Sequence, residues 1–250
     1  MKFDDYGVNR NLIPERRFDY GVAMAALVDY RLDDRIATIT MDDGKVNALS
    51  PAMLGELNAA LDRAAADRAV VLLAGRDGVW SAGFDLPTLR AGGDEMISMV
   101  RGGFELAARL LAFPTPVIIA CPGHAVAMGL FLLLSGDYRV GAAGPYRLVA
   151  NEVAIGLALP QAAVEILRQR LAPTHFNRAA ILAEPYSPDT AVGAGILDRV
   201  VEPGQLHDVA RTVAVAAAGL DPDAHAAAKL LVRQPALDAI RVAIDTDWPH

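Results

Sequence analysis

The chain has 250 residues and a formal net charge of −7, and 53% of its residues are hydrophobic while only 6% are aromatic. This length suits one large domain, or a domain with a helical appendage, built on a core of small aliphatic side chains. No cluster of Lys and Arg forms the basic footprint of a nucleic-acid-binding protein. The single cysteine, Cys121, excludes an intramolecular disulfide and a Cys-x-x-Cys motif, and the histidines show no i, i+4 pair, so we expect no metal site.

Residues 1–26 are expected to form a polar extension ahead of the folded core. A pair of arginines at 16–17 precedes a short apolar run, but the run is very short and Asp29 follows it at once, which argues against a secretion signal. The apolar stretch 117–134 is broken by a Pro-Gly-His turn, which is typical of a strand and a buried helix rather than of a membrane span. We therefore expect a cytoplasmic protein that does not bind membranes.

The first predicted elements are a hairpin, a helix and a buried strand. Apolar and β-branched residues over 28–32 and 35–41 predict two strands joined by a tight turn. Ser50 is a suitable N-cap for a helix that ends near residue 67. Residues 70–74 are wholly apolar, as expected for a strand that is buried on both faces.

Strands, turns and helices then recur along the chain. A stripe of apolar residues predicts a helix over 94–112, and residues 117–120 form a second buried strand. We expect a helix over 125–135, a strand over 138–140 and a further strand around 146–150. Each unit supplies one turn that faces inward.

From residue 161 onward the sequence pattern is mainly helical. A short strand is expected over 196–201, and helices are expected over 161–171, 174–182, 188–193, 205–218 and 222–244. We divide the chain into an extension over 1–26, an α/β core over 27–195 and a helical region over 196–250. Because the helical end is rich in alanine and suited to close packing against a neighbour, we expect an oligomer.

Two glycine-containing turns, at residues 80–86 and 123–129, lead from an apolar strand toward a helix. A backbone N–H at the start of a helix has no intrahelical acceptor, so Phe84 and Met128 can each direct one into a cavity. Two such groups side by side would form an oxyanion hole. The alternative is that the glycines only permit tight turns and close helix packing. The repetition of the arrangement favours the functional interpretation.

Glu152 is the one carboxylate of the otherwise apolar segment 151–156. Burial on an apolar wall would raise its pKa and allow it to take up and return a proton. The alternative for Glu152 is a salt bridge or an N-cap to the following turn. Ser81 is not in a Gly-x-Ser-x-Gly elbow, and no phosphate-binding loop or dinucleotide fingerprint occurs. Nothing therefore indicates a nicotinamide, flavin or ATP cofactor.

These segments, in this order, resemble the crotonase superfamily of enoyl-CoA hydratases and isomerases. The resemblance extends from about residue 28 to the C-terminus, and it rests on motifs at 46–49, 81–86, 123–129, 137–140 and 193–198. It implies an α/β fold, a crotonase-like spiral of ββα units with a C-terminal helical trimerisation region. It also implies a homotrimer or a dimer of trimers.

The resemblance further implies a site for an acyl-CoA thioester. The thioester oxygen would accept hydrogen bonds from the N–H groups of Phe84 and Met128, and Glu152 would move the proton. The CoA moiety would lie against Val46, Ala48, Ala82, Asp85 and Leu86. No cofactor beyond the coenzyme A moiety of the substrate is expected.

Departures from the family pattern favour one reaction. Two-acid hydratases carry a glutamate where this chain has Phe131, and dienoyl-CoA isomerases carry an aspartate near residues 159–160. With Glu152 as the one remaining acid, the site is similar to those of isomerases that convert 3-enoyl-CoA to 2-enoyl-CoA. An enoyl-CoA hydratase and a non-catalytic acyl-CoA-binding homologue are the alternatives. A serine hydrolase, a third class, would need a reactive Ser81 or Ser135.

Overall fold

The computed structural model describes residues 26–248, so the extension expected over residues 1–26 lies almost wholly outside the described residues. Its strands are β1 (Val28–Asp33), β2 (Ile36–Met41), β3 (Val70–Gly75), β4 (Val79–Ser81), β5 (Val117–Cys121), β6 (His124–Val126), β7 (Tyr138–Ala142), β8 (Leu148–Val149) and β9 (Arg199–Val201). Its helices are α1 (Pro51–Ala66), α2 (Leu86–Ala91), α3 (Gly93–Leu111), α4 (Met128–Leu134), α5 (Gln161–Arg170), α6 (Pro173–Leu182), α7 (Pro188–Ala194), α8 (Leu206–Ala218) and α9 (Pro222–Asp247). Short 3-10 turns occur at Val153–Ile155 and Pro203–Gln205.

Six strands of the described chain form the larger sheet, in the order β1-β2-β3-β5-β7-β9. β1 and β2 are the antiparallel hairpin that the sequence predicts, and the other neighbours pair in parallel. Val71 and Leu73 of β3 face the main core, whereas Val70 and Leu72 face a second apolar cluster that includes α8. Burial on both faces explains the unbroken apolar sequence of β3.

β4, β6 and β8 form a smaller parallel sheet of three strands. The helix predicted over 125–135 was wrong at its start, because His124–Val126 is a strand and α4 begins only at Met128. A strand of three residues is too short to show an alternating pattern, and a small residue such as Ala125 suits either element. The successive pairs β3-β4, β5-β6 and β7-β8 each send one strand to each sheet. This is the ββα spiral that the resemblance implies.

The turns between paired strands are tight and lie against each other. A Cβ added to Gly75 would lie 2.1 Å from Val79 O, and a Cβ added to Gly123 would lie 2.0 Å from Gly78 O. No side chain fits at such distances, so glycine is required where β3 leads to β4 and where β5 leads to β6. The contact between Gly123 and Gly78 brings β4 and β6 side by side.

The two last helices, α8 and α9, pack against different parts of the core. α8 packs across β3, β5 and β7, while α9 packs against α3 and α5. Asp137 anchors α9, because its carboxylate accepts hydrogen bonds from Lys229 Nζ and Arg233 Nη1, each at 2.7 Å. The same carboxylate accepts a hydrogen bond from Val117 N at 2.7 Å, so one partly buried acid joins α9 to the sheet.

The helical second half agrees with the sequence prediction, since α5 to α9 begin at or next to their predicted first residues. The short strand within 196–201 is observed as β9, and α9 continues to Asp247. The division into a core and a helical region at residue 195 stays a prediction. No helix between residues 26 and 248 combines the length and the apolar character needed to cross a membrane.

Candidate active site

The two turns expected to supply backbone N–H groups lie against one another. Gly83, in the first turn, has a φ of +95°, and a Cβ added to it would lie 3.0 Å from Val126 O and 3.4 Å from Met128 N. Ala127, which precedes Met128, has a φ of +51°, an uncommon value for a residue that carries a Cβ. The strained backbone at Ala127 and the missing Cβ at Gly83 together allow this close approach.

Asn47 holds the first turn from a distant part of the chain. Its side chain is fully buried, and Nδ2 donates a hydrogen bond to Trp80 O at 3.1 Å. Ser81 Oγ donates to Asn47 O at 2.7 Å, and Leu49 N donates to Gly83 O at 2.8 Å. The segment around Asn47 therefore runs along the first turn. Sequence reasoning named the neighbours of Asn47 as CoA contacts but missed this residue, whose partners are remote in sequence.

Asp43 holds the same segment from its other side. One carboxylate oxygen accepts hydrogen bonds from Lys45 N at 2.7 Å and Asn47 N at 2.8 Å, and the other accepts from Ala48 N at 2.9 Å. Burial acts to raise the pKa of Asp43, but these backbone hydrogen bonds and the charge of Arg76 outweigh it, so the pKa lies below its ordinary value. The ionised carboxylate thus shapes the loop that supports the first turn.

The second turn is held by the smaller sheet and by a buried indole. Ala127 N donates to Val149 O at 2.9 Å, which continues the pairing of β6 with β8. Trp80 Nε1 donates to Gly129 O at 2.8 Å and links the end of β4 to the first turn of α4. All residues of α4 are buried. Met128 therefore stands at the N-terminus of a buried helix.

Neither the Phe84 N–H nor the Met128 N–H has a hydrogen-bond acceptor among residues 26–248. Further along α4, Leu130 N and Phe131 N both donate to Ala127 O. Backbone amides in protein interiors are almost always paired. Two unpaired amides in adjoining turns are therefore suited to bind a negatively charged oxygen atom.

Glu152 follows β8, the strand that pairs with the second turn. It is 9% exposed and is the one buried acidic residue among residues 26–248. Its Oε2 has no hydrogen-bond partner in the same part of the chain. Burial raises the pKa of Glu152, and a hydrogen bond from its own backbone N–H offsets this only in part. The salt bridge and the N-cap considered as alternatives were wrong, because the described residues give Glu152 no cationic partner and its side chain caps no helix.

Asn151 adds a second unsatisfied acceptor beside Glu152. Its Oδ1 is buried and has no hydrogen-bond partner within residues 26–248. Adjacent buried acceptors without donors are rare in folded proteins. Each one costs free energy unless a ligand or a water molecule donates a hydrogen bond to it. This residue was not singled out from the sequence, where an asparagine before a turn is unremarkable.

Phe131 stands where two-acid hydratases are expected to carry a glutamate. It is 1% exposed, and its ring stacks on that of Phe104 with centroids 6.1 Å apart. The Phe84 ring meets Phe104 edge-on at 6.3 Å. Aromatic side chains therefore fill the space beside the two turns. The Phe131 side chain supplies neither an acid nor a hydrogen-bond donor.

The residues expected to contact CoA lie on or beside the first turn. Val46 and Leu86 are apolar and exposed, and Ala82 N donates to Val46 O at 3.0 Å. The Asp85 carboxylate caps the N-terminus of α2, and Ala48 N donates a hydrogen bond to the Asp43 carboxylate. The role of these five residues in binding CoA stays a prediction.

The two serines considered as nucleophiles are buried and already engaged. Ser81 Oγ donates to Asn47 O at 2.7 Å, and Ser135 Oγ donates to Phe131 O at 2.8 Å. Both residues are fully buried. A nucleophilic serine requires a neighbouring base that accepts its proton. The hydroxyls instead donate to backbone carbonyls, which argues against a serine hydrolase.

Comparison with known proteins agrees with this geometry. The sequence profile of the enoyl-CoA hydratase/isomerase family matches residues 31–247, which is most of the chain. The chain belongs to the enoyl-CoA hydratase/isomerase family. As a member of that family it is an enzyme with the crotonase fold.

Solved structures from the family superpose closely on this chain. EchA3 of Mycobacterium tuberculosis H37Rv, a probable enoyl-CoA hydratase, is 49% identical and gives a TM-score of 0.86 over 88% of this chain and 94% of its own. Another structure of that mycobacterial protein, described as an enoyl-CoA isomerase, gives a TM-score of 0.85 over 89% and 97% at the same 49% identity. The mitochondrial enoyl-CoA delta isomerase 1 of Mus musculus is 30% identical over 71% of this chain and 63% of its own length. Relatives are thus named for both reactions.

Proposed function

We propose that this family member is an enoyl-CoA isomerase, which converts 3-enoyl-CoA thioesters to 2-enoyl-CoA thioesters. The observation that carries the proposal is that Glu152 is the one buried carboxylate among residues 26–248, while the buried Phe131 stands where the family resemblance implies the second acid of a hydratase. One carboxylate is sufficient to carry a proton between two carbon atoms. Holding and splitting a water molecule usually requires two acid–base groups.

In the proposed reaction, the thioester oxygen accepts hydrogen bonds from Phe84 N–H and Met128 N–H. The Glu152 carboxylate removes a proton from C2, the electron pair of that C–H bond forms a C1–C2 double bond, and the carbonyl π pair moves onto the thioester oxygen to give an enolate. The enolate then collapses, the double bond moves from C3–C4 to C2–C3, and the Glu152 carboxylic acid returns its proton to C4. Glu152 ends ionised as it began, and no water or redox partner is consumed.

The environment of Glu152 supports this role. Burial raises its pKa, so the carboxylate is a stronger base and the carboxylic acid persists between the two transfers. The two N–H groups act where charge develops in the transition state, and one such donor typically contributes roughly 100–1,000-fold in rate. Two backbone N–H groups and the Glu152 carboxylate therefore supply the charge stabilisation and the proton transfer that the reaction needs.

We propose that the CoA moiety lies along the first turn. The exposed apolar side chains of Val46 and Leu86 flank Ala48, Ala82 and Asp85 there, which supports the proposal. No cofactor beyond the CoA moiety of the substrate is part of the proposed reaction. The homotrimer or dimer of trimers and the cytoplasmic location expected from the sequence stay predictions.

Hydration of 2-enoyl-CoA is the second candidate function. It is favoured by the name of a relative, the probable enoyl-CoA hydratase EchA17 of Mycobacterium avium, which is 29% identical over 71% of this chain and 70% of its own length. A non-catalytic acyl-CoA-binding homologue is the third candidate, since a bound thioester alone would also satisfy the free amides.

Parallel assays with trans-3-hexenoyl-CoA and crotonyl-CoA distinguish these candidates. We expect conjugation of the first without hydration of the second, whereas hydration at a comparable rate would contradict the isomerase. Acyl-CoA binding without turnover would indicate the non-catalytic homologue. Glu152→Gln should lower kcat by more than about 100-fold. The control Glu202→Gln makes the same change at an exposed residue and should retain full activity.

A further inference from the structure

The end of α9 brings a tryptophan onto the rings beside the two turns. Trp248 stacks on Phe104 with ring centroids 5.1 Å apart and an interplanar angle of 10°. Phe104 in turn stacks on Phe131 and meets the edge of Phe84. These four rings, hereafter the aromatic cluster, therefore connect the C-terminal end of α9 with the first turn.

The segment of α3 that carries Phe104 lies against both residues whose N–H groups are free. A Cβ added to Gly103, on α3, would lie 2.4 Å from Phe84 Cε1 and 3.5 Å from Met128 Cγ. The backbone that carries Phe104 thus lies directly against both side chains. Phe104 is fully buried, whereas Phe84 and Trp248 are only half-buried and keep ring surface available to a ligand.

Arg101 fixes Trp248 in this position. It lies one turn before Phe104 on α3, and its Nη1 donates to Trp248 O at 2.6 Å while its Nη2 donates to Asp245 Oδ1 at 2.8 Å. The Arg101 side chain is 13% exposed, so these charge-assisted hydrogen bonds are largely shielded from water. A cation at the C-terminus of a helix is also favoured by the helix dipole. The last turn of α9 is therefore held against α3.

We propose that Trp248 closes the far end of the acyl pocket and limits the chain to short enoyl groups, an inference that rests on the proposed function. The thioester oxygen is expected at the Phe84 and Met128 amides, and the CoA moiety is expected on the exposed side of the first turn. The acyl chain then extends to the opposite side, where the apolar rings of the aromatic cluster lie. Trp248 is the member of that cluster that a longer chain would have to displace.

The test compares the affinities of hexanoyl-CoA and dodecanoyl-CoA by calorimetry, because saturated thioesters bind without turnover. Transfer of one methylene from water to an apolar pocket corresponds to about four-fold in affinity. Trp248→Ala should raise the affinity for dodecanoyl-CoA relative to hexanoyl-CoA by at least about ten-fold, which is the gain from two methylenes. The control Val242→Ala removes an exposed apolar side chain from the same helix and should leave the ratio unchanged.

A second variant keeps the test decisive should Trp248→Ala fail to fold. Trp248→Phe retains a ring on Phe104 and should shift the ratio in the same direction by a smaller factor. The chain has two tryptophans, and Trp80 is fully buried, so hexanoyl-CoA should change the emission of the wild type more than that of Trp248→Phe.

The outcomes separate this inference from the proposed function. An unchanged affinity ratio in the folded variants, together with wild-type isomerisation of trans-3-hexenoyl-CoA, overturns the role of Trp248 and leaves the isomerase intact. A shifted ratio in a protein that turns over no 3-enoyl-CoA supports Trp248 as a wall of an acyl-CoA site and overturns the isomerase. A wild type that binds neither saturated thioester overturns both.

Discussion

Gly83 leaves the Met128 nitrogen only as much room as a methyl group would occupy, since a Cβ on Gly83 would lie 3.4 Å from that nitrogen across the two turns. The same Cβ would lie 3.0 Å from Val126 O, so any side chain at Gly83 forces the turns apart. An oxyanion hole depends on the distance between its two donors. The geometry of the candidate site is therefore set by a missing side chain rather than by a present one.

Gly83→Ala is expected to lower kcat for trans-3-hexenoyl-CoA by roughly ten-fold, because its Cβ would push the second turn away by less than the displacement of about 1 Å that costs about 100-fold. Gly78→Ala is the matched control. Gly78 also has a positive φ, +75°, but no atom lies within 4 Å of its added Cβ, so it shares the backbone strain without the displacement. Equal losses of kcat in the two variants would show that strain alone, not the spacing of the turns, impairs activity.

Glu152→Gln is expected to change the pH dependence of stability. Burial raises the pKa of Glu152 above the ordinary value of 4.5, so the folded state binds this proton more tightly than the unfolded chain does. Its contribution to the free energy of unfolding is fully present below the unfolded pKa and is lost as pH rises through the folded pKa. Relative to wild type, Glu152→Gln should therefore gain stability in urea unfolding as the pH rises above the ordinary value of 4.5.

The control for this measurement is Glu202→Gln, which makes the same substitution at an exposed residue. It should follow the wild type throughout the pH range. A constant difference between wild type and Glu152→Gln across that range would contradict a buried carboxylate with a raised pKa. It would also weaken the case for Glu152 as the proton carrier.

Asn47→Ala is expected to destabilise the protein by about 2–4 kcal/mol, because it leaves several buried partners unpaired. The carbonyls of Met41 and Trp80 lose a donor, and Asp43 N loses its acceptor Oδ1. Asn177→Ala, on the exposed face of α6, should change the free energy of unfolding by less than about 0.5 kcal/mol. Urea unfolding measures both. Equal stabilities in the two variants would mean that the hydrogen bonds of Asn47 do not hold the first turn in place.

Much of the fold and part of the site could be predicted from the sequence, because both depend on patterns of neighbouring residues. The apolar runs at β3 and β5 predict buried strands, and the glycine-containing turns predict the N–H groups of Phe84 and Met128. The lone carboxylate Glu152 stands out against an apolar segment. Each of these signals lies within a few residues of the chain and needs no partner to be recognised.

The features that the sequence did not predict depend on residues remote from one another. β6 forms because Ala125 pairs with Ser81 and Leu148, and three residues alone carry no strand signal. In the sequence, Asn47 is indistinguishable from an ordinary turn residue, because its side chain donates to Trp80 O, which is remote along the chain. The stacking of Trp248 on Phe104 joins the last helix to α3. Local propensity carries no information on any of these pairs.

Asp137→Asn is expected to lower the free energy of unfolding by about 3–5 kcal/mol, because it leaves buried cations without a counter-charge. The side chains of Lys229 and Arg233 are only 3% and 11% exposed, and both pair with Asp137 at 2.7 Å. Asp238→Asn, whose ion pair with Arg241 is exposed on the same helix, should cost less than about 1 kcal/mol. Urea unfolding compares the two variants. Because these pairs anchor α9, Asp137→Asn should also weaken hexanoyl-CoA binding, and unchanged stability and affinity would contradict this anchoring role.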